Sequence, residues 1–205
     1  VSTDELLKQA DIAMYQAKTS GRNAIRFYDP AMQAAITART ALEHDLRIAL
    51  EQEQFVLHYQ PQVTHDGRTV GAEVLIRWQH PARGMVSPMG FIPLAEETGQ
   101  IVPIGSWVLD SACRQLKAWE TEPERQALEL AVNVSARQFH APDFVQGVAQ
   151  TLRTTAANPA RLKLELTESL VLDDIAETTL KMNQLKALGV RFSMDDYGTG
   201  QSSLS

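Results

Sequence analysis

Apolar residues recur at three- and four-residue intervals at Leu6, Leu7, Ala10, Ala13, Met14 and Ala17, the spacing of a helix with one face toward a core. Gly21 offers that helix a stop, and residues 24–30, AIRFYDP, read as a short strand ended by proline. One helix and one strand bury too little to fold alone, so this stretch reads as the tail of a domain that begins upstream. A second helical pattern runs from Met32 to about Glu53 through Ile36, Leu42, Leu46, Ala49 and Leu50, and suits a connection between two domains.

Beyond it the texture changes. FVLHYQPQV (55–63) and TVGAEVLIRW (69–78) read as strands, and the HDGR between them carries an Asp-Gly hairpin signal. A helical stretch follows at about 101–119, then a strand at 128–135, a helix near 144–152 and a strand at 161–169. A helix at about 174–188 leads to the strand GVRFSMDD, 189–196. Strand and helix alternate after the hairpin, which predicts an α/β fold with a parallel sheet, either a barrel or an open doubly wound sheet.

Successive strand residues point to opposite faces. In 69–78 one face carries Val70, Ala72, Val74, Ile76 and Trp78, and the other Glu73, Leu75 and Arg77. Leu130, Val132 and Val134 likewise oppose Asn133, and Leu162, Leu164 and Leu166 oppose Lys163 and Glu165. In the last strand Val190, Phe192 and Met194 oppose Ser193 and Asp195. Each strand thus has an apolar face for helices and an oxygen donor on the other face: Glu73, Asn133, Glu165 or Asp195. All four stand at or near the carboxyl end of their runs, where parallel barrels assemble active sites. Carboxylates buried together call for a compensating cation. Three carboxylates and an amide, without thiol or imidazole, favour a hard divalent ion such as Mg2+ or Mn2+.

Asp196 reaches a second ion only if the strand ends there and the chain turns, which Gly198 and Gly200 permit. Two ions about 4 Å apart suit phosphodiester hydrolysis. The competing readings are a solvated Asp-Asp-Tyr-Gly turn and, for each carboxylate taken singly, a partly exposed edge position.

Composition narrows the classes. The net charge of −6 argues against a nucleic-acid binder that works by neutralising phosphates, but is compatible with a small phosphate ligand held through metal ions. Cys113 is the single cysteine, which excludes an intrachain disulfide and fits a reducing, cytoplasmic compartment. No run approaches the roughly 18 apolar residues of a membrane helix. Val1 is not an initiator methionine, so a preceding region is expected, free to carry a membrane anchor. His44, His58, His65, His80 and His140 show no site-like spacing, and Trp78, Trp107 and Trp119 read as helix–sheet packing.

Six motifs in order carry a resemblance: YQPQV (59–63), EVLIRW (73–78), SPMGFIPLAEETG (87–99), NVSARQF (133–139), ELTES (165–169) and DDYGTGQSSLS (195–205). From about residue 42 the chain resembles the EAL-domain family, bacterial phosphodiesterases that linearise cyclic di-GMP. Residues 10–29 resemble the end of a GGDEF (diguanylate cyclase) domain, so the implied organisation is a remnant at 1–30, a helical linker at 31–41 and an EAL domain at 42–205. The resemblance implies a TIM-like (β/α)8 barrel with its first strand antiparallel, represented here by about five strands, and a homodimer through that domain. It implies that Glu73, Asn133, Glu165 and Asp195 bind a pair of Mg2+ or Mn2+ ions with Asp196 completing the second site, and that Glu73, Asp195 and Asp196 are the catalytic set. Arg77 would hold a substrate phosphate, Gln60, Leu75 and Pro88 would lie along the dinucleotide, and Glu168 would brace the loop after Asp196. Two departures stand out. Val74 replaces the alanine of the signature and Gln201 an aromatic residue. The catalytic lysine and later ligands would lie past Ser205, so the segment alone is expected to be inactive. The alternatives are an EAL domain that senses cyclic di-GMP without cutting it, and one kept as an interaction scaffold.

Overall fold

In a computed structural model of the chain, the described residues are 2–19, 25, 27–167, 170 and 174–195; for Tyr15, Gln16, Thr19 and Asp195 this covers the backbone only. The chain divides into two compact units, Val1–Ile48 and Ala49–Ser205.

The first unit holds α1 (Thr3–Thr19) and most of α2 (Pro30–Ala49). Asp4 and Glu5 in the first turn of α1 and Lys18 in the last complement the helix dipole. Its apolar stripe is largely uncovered: Ala13 is buried, but Leu6, Leu7 and Met14 keep 56, 62 and 51% of their surface. The strand expected over 24–30 is not formed at its described positions: Ile25 and residues 27–29 are irregular, and Pro30 opens α2. A strand needs a neighbour to complete its ladder, and the first strand among the described residues begins only at Phe55. α2 ends at Ala49 rather than near Glu53, whose φ of 52° lies in the left-handed region.

The second unit is built on one mixed sheet. Its strands are β1 (Phe55–Val63), β2 (Thr69–His80), β3 (Gly84–Val86), β4 (Glu129–Asn133), β5 (Leu162–Thr167) and β6 (Arg191–Asp195). The helices are α3 (Pro88–Thr98), α4 (Ile101–Trp119), α5 (Ala136–Phe139), α6 (Phe144–Thr155) and α7 (Ile175–Ala187). β1 and β2 form the antiparallel hairpin that the Asp-Gly turn predicts, with Gly67 at φ 81° and its N–H donating to the Thr64 carbonyl at 2.8 Å. β2, β4, β5 and β6 run parallel. The order is β1-β2-β4-β5-β6, with β3 paired to β2. Among the described strands the order follows the chain, with none of the reversal that marks a doubly wound sheet.

The apolar faces read from the sequence are the ones that meet helices. Leu130, Leu162, Leu164 and Leu166 are fully buried, as is Trp78, and Ala72, Val74 and Val132 nearly so. Burying each large side chain contributes about 1.5–3 kcal/mol. Phe55 stacks at 5.7 Å from Phe91 of α3 and 5.9 Å from Trp107 of α4, and Tyr59 lies 5.7 Å from Trp119. The added methyls of Val74 are accommodated at 4% exposure. At β6 the pattern weakens: Val190 is buried, but Met194 is 38% exposed at the last strand of the sheet.

α3 and β3 lie between Trp78 and Ile101, where the sequence pattern gives no clear element. Pro88 sits in the first turn, where a missing N–H is tolerated. Pro93 sits inside the helix, and Phe91, Leu94 and Ala95 bury its apolar face. Gly99, at φ 83°, closes it. Among the described residues no helix is long and apolar enough to cross a membrane.

Candidate functional site

Strand alternation sends the polar residues of β2, β4, β5 and β6 to the sheet face opposite the helices. Register fixes their heights. Glu73 is level with Ala131, Asn133 with Glu165, Glu165 with Ser193, and Asp195 with Thr167. The four expected donors therefore climb the sheet in steps, since two strand residues rise about 6.6 Å. Side chains join neighbouring strands, across the step between β2 and β4 and between level residues of β5 and β6. Asn133 Nδ2 donates to Glu73 Oε1 at 2.8 Å, and Ser193 Oγ donates to Glu165 Oε1 at 3.0 Å. The ladder continues one residue past β4, with Val134 N–H donating to the Glu165 carbonyl at 3.0 Å. Glu73, Asn133, Glu165 and Ser193 thus share one sheet face; Asn133 ends β4 and Glu165 stands close to the end of β5, but Glu73 lies in the middle of β2 rather than near its carboxyl end as expected, because β2 runs on to His80.

A cavity of about 310 Å3 opens beside these residues, and Leu75, Arg77, Pro88, Asn133 and Glu165 all line it. Arg77 donates from Nη1 to the Ile76 carbonyl at 2.9 Å and has no carboxylate partner among the described residues, so its remaining donors suit an anion. Pro88 reaches the cavity because it begins α3, directly after the extended Ser87. Gln60 does not line the cavity; it stands opposite Glu73 across the hairpin. Asp196 and Glu168, and the side chain of Asp195, lie outside the described residues. Among the described residues no three His, Cys, Asp or Glu side chains form a metal-holding group.

Residues beyond the expected set also take part. Thr167, Ser135 and Gln138 line the cavity, and Ser193 fixes the Glu165 carboxylate. Ser193 was visible in the sequence as a polar residue on the donor face. Thr167, the last residue of β5, was visible in the same way, whereas Ser135 and Gln138 cap or lie on the four-residue helix α5, for which no periodic signal exists. Ser135 caps α5 by accepting from Gln138 N–H at 3.2 Å. Arg137 donates to the Glu96 and Glu97 carbonyls at the end of α3, which joins the two cavity walls.

Lower on the same face, Glu129 accepts from Arg191 and lies 3.5 Å from Lys163, an ion-pair cluster at the opposite end of the strands. His80 is buried, with Nδ1 accepting from the Ala82 N–H at 3.1 Å, a structural role. Cys113 is fully buried in α4, and burial, with Asp110 nearby, pushes its thiol up to about 12.

The family model described as the EAL domain matches residues 43–205. The bifunctional diguanylate cyclase/cyclic di-GMP phosphodiesterase MucR of Pseudomonas aeruginosa is 46% identical over 201 residues, covering 98% of this chain and 29% of MucR. The cyclic di-GMP phosphodiesterase PdeR of Escherichia coli is 38% identical over 200 residues, covering 98% of this chain and 30% of PdeR. The chain therefore spans less than a third of the length of these curated relatives. A solved PaMucR phosphodiesterase in complex with c-di-GMP superposes with a TM-score of 0.75 at 47% identity, covering 80% of this chain and 66% of that one. With the family model matched over residues 43–205 and a relative 46% identical over 98% of the chain, the chain belongs to the EAL domain family.

Proposed function

We propose that the complete protein is a metal-dependent phosphodiesterase that hydrolyses cyclic di-GMP to linear pGpG in bacterial second-messenger signalling. The observation that carries this reading is the pair of side-chain hydrogen bonds Asn133–Glu73 and Ser193–Glu165 on one sheet face beside a cavity lined by Arg77, in an EAL domain. The substrate comes from the relatives, of which MucR and PdeR are named as cyclic di-GMP phosphodiesterases.

The donors suit two Mg2+ or Mn2+ ions. They are hard oxygens, and the Asn133 amide commits Nδ2 to Glu73, leaving Oδ1 for a cation. In this reading Glu73, Asn133, Glu165, Asp195 and Asp196 hold the ions, and Glu168 supports the loop carrying Asp196. When bound, the ions would supply electrophilic charge and an activated water. Arg77 pairs with a phosphate through its guanidinium. Leu75 and Pro88 form apolar walls along the dinucleotide, with Gln60 at its far side. One water is consumed per turnover: hydroxyl joins phosphorus, the P–O3′ bond breaks, and the 3′ oxygen leaves with a proton. The same reading takes residues 1–30 as the end of a GGDEF domain and 31–41 as a linker. It takes 42–205 as part of a TIM-like barrel that dimerises in the cytoplasm.

The sensor alternative draws no support from the site, where Glu73, Asn133 and Glu165 are all retained. The complete protein incubated with cyclic di-GMP and Mg2+ is expected to yield a linear dinucleotide on ion-exchange chromatography, and none after EDTA. Binding of cyclic di-GMP without turnover under any divalent ion would overturn the proposal in favour of the sensor.

A further inference from the structure

Lys181 on α7 is 7% exposed, a burial that lysine rarely accepts without partners. Its ammonium donates to the Phe139 carbonyl at 2.9 Å and the Ala141 carbonyl at 3.1 Å, and Glu177, one turn earlier, lies 2.8 Å away. The Phe139 ring is fully buried, with its centroid 5.9 Å from Nζ. An apolar side chain of similar length would fill this space without needing three polar partners. What the lysine adds is direction: it fixes two carbonyls at the end of α5.

Those carbonyls end a short segment that begins at the site. Asn133 closes β4, Val134 extends the ladder, Ser135 caps α5, and Gln138 lines the cavity. A single helical turn has little stability of its own. Its start is tied to β5 through the Val134 N–H and its side to α3 through Arg137, while its end rests on Lys181, a cation at a helix carboxyl terminus.

We propose that Lys181 is a positioning residue: from α7 it clamps the end of α5 so that Asn133 and Gln138 keep their place at the cavity. The proposal rests on the metal-site reading above and deepens it. Glu177 neutralises the clamp, and His140 Nδ1 stands 4.0 Å from the same carboxylate.

The test uses the complete protein with Lys181→Met and Lys181→Arg, followed by amide hydrogen exchange and by calorimetric titration with Mn2+. Lys181→Met is expected to speed exchange at residues 138–140 and to weaken Mn2+ binding about tenfold, the scale of losing a group that orients a metal ligand. Lys181→Arg keeps a cation and is expected to stay within about threefold of wild type. Unchanged Mn2+ affinity in a folded Lys181→Met protein would overturn the proposal and leave Lys181 a packing role. Should Lys181→Met not fold, Lys181→Gln is judged by the same criterion. If the wild type itself binds no Mn2+, the metal reading fails separately. Exchange then decides the clamp: faster exchange confined to 135–141 supports it, and unchanged exchange overturns it.

Discussion

Gly71 places two backbones closer than any side chain allows. It neighbours Glu129 across the β2–β4 ladder, and a Cβ at Gly71 would stand 2.5 Å from the Glu129 carbonyl oxygen and 3.2 Å from the carbonyl carbon. Ordinary contact needs about 3.5 Å, so Gly71→Ala forces the strands apart by about 1 Å. The obstruction is main chain and cannot swing aside. Overpacking of this kind costs about 1–3 kcal/mol, and a weakened ladder bond adds about 1 kcal/mol. Alanine's lower unfolded-state entropy offsets up to about 1 kcal/mol. The net loss is about 1–4 kcal/mol, a fall in Tm of about 2–16 °C for a unit of this size. Glu73 lies two residues further on, so its 2.8 Å bond from Asn133 stretches as β2 and β4 separate, and Mn2+ binding weakens with it. The control is Gly147→Ala on α6, where a Cβ meets nothing within 4 Å and stability is expected to rise by up to about 1 kcal/mol. Thermal unfolding followed by circular dichroism, paired with Mn2+ titration, reads both effects. A Gly71→Ala protein with Tm within about 2 °C of wild type and unchanged Mn2+ affinity would refute the reasoning.

Arg77→Ala removes a charged donor from the cavity and is expected to raise the KM for cyclic di-GMP about 10- to 100-fold, with Mn2+ affinity unchanged; equal losses in both would contradict the assignment. Cys113 is expected to resist alkylation at about pH 8 until the protein unfolds, because its folded thiol is held protonated. Its folded pKa lies above the ordinary 9.0, so its contribution to stability is whole below about pH 9 and is lost as pH rises toward about 12. Urea midpoints measured across that range are expected to fall less steeply in Cys113→Ala, and an identical slope would contradict this.

The sheet was legible because its chemistry repeats. Leu162, Leu164 and Leu166 alternate with Lys163 and Glu165 without a break, and a two-residue period admits only one division of faces. The hairpin was legible from Asp66-Gly67. α3 left no clear periodic signal in the sequence: Pro93 disfavours a helix interior, and packing of Phe91 and Leu94 stabilises the helix around it. Residues 24–30 carry strand letters, but a strand also needs a neighbouring ladder. Alternation placed Glu73, Asn133 and Glu165 on one face, but could not give their relative heights, because register is a property of pairs of strands. The Asn133–Glu73 bond, the support from Ser193 and the Lys181 clamp all join residues 28 to 60 positions apart in the chain. No local pattern encodes such contacts.

The central claim is that the oxygen row across β2, β4 and β5 holds divalent ions. Electron paramagnetic resonance of Mn2+ with the complete protein, wild type against Glu73→Gln/Glu165→Gln, tests it most directly. The account predicts tightly bound Mn2+ in the wild type and an affinity lower by about 100-fold or more in the double variant. The same Mn2+ stoichiometry and affinity in both proteins would contradict it.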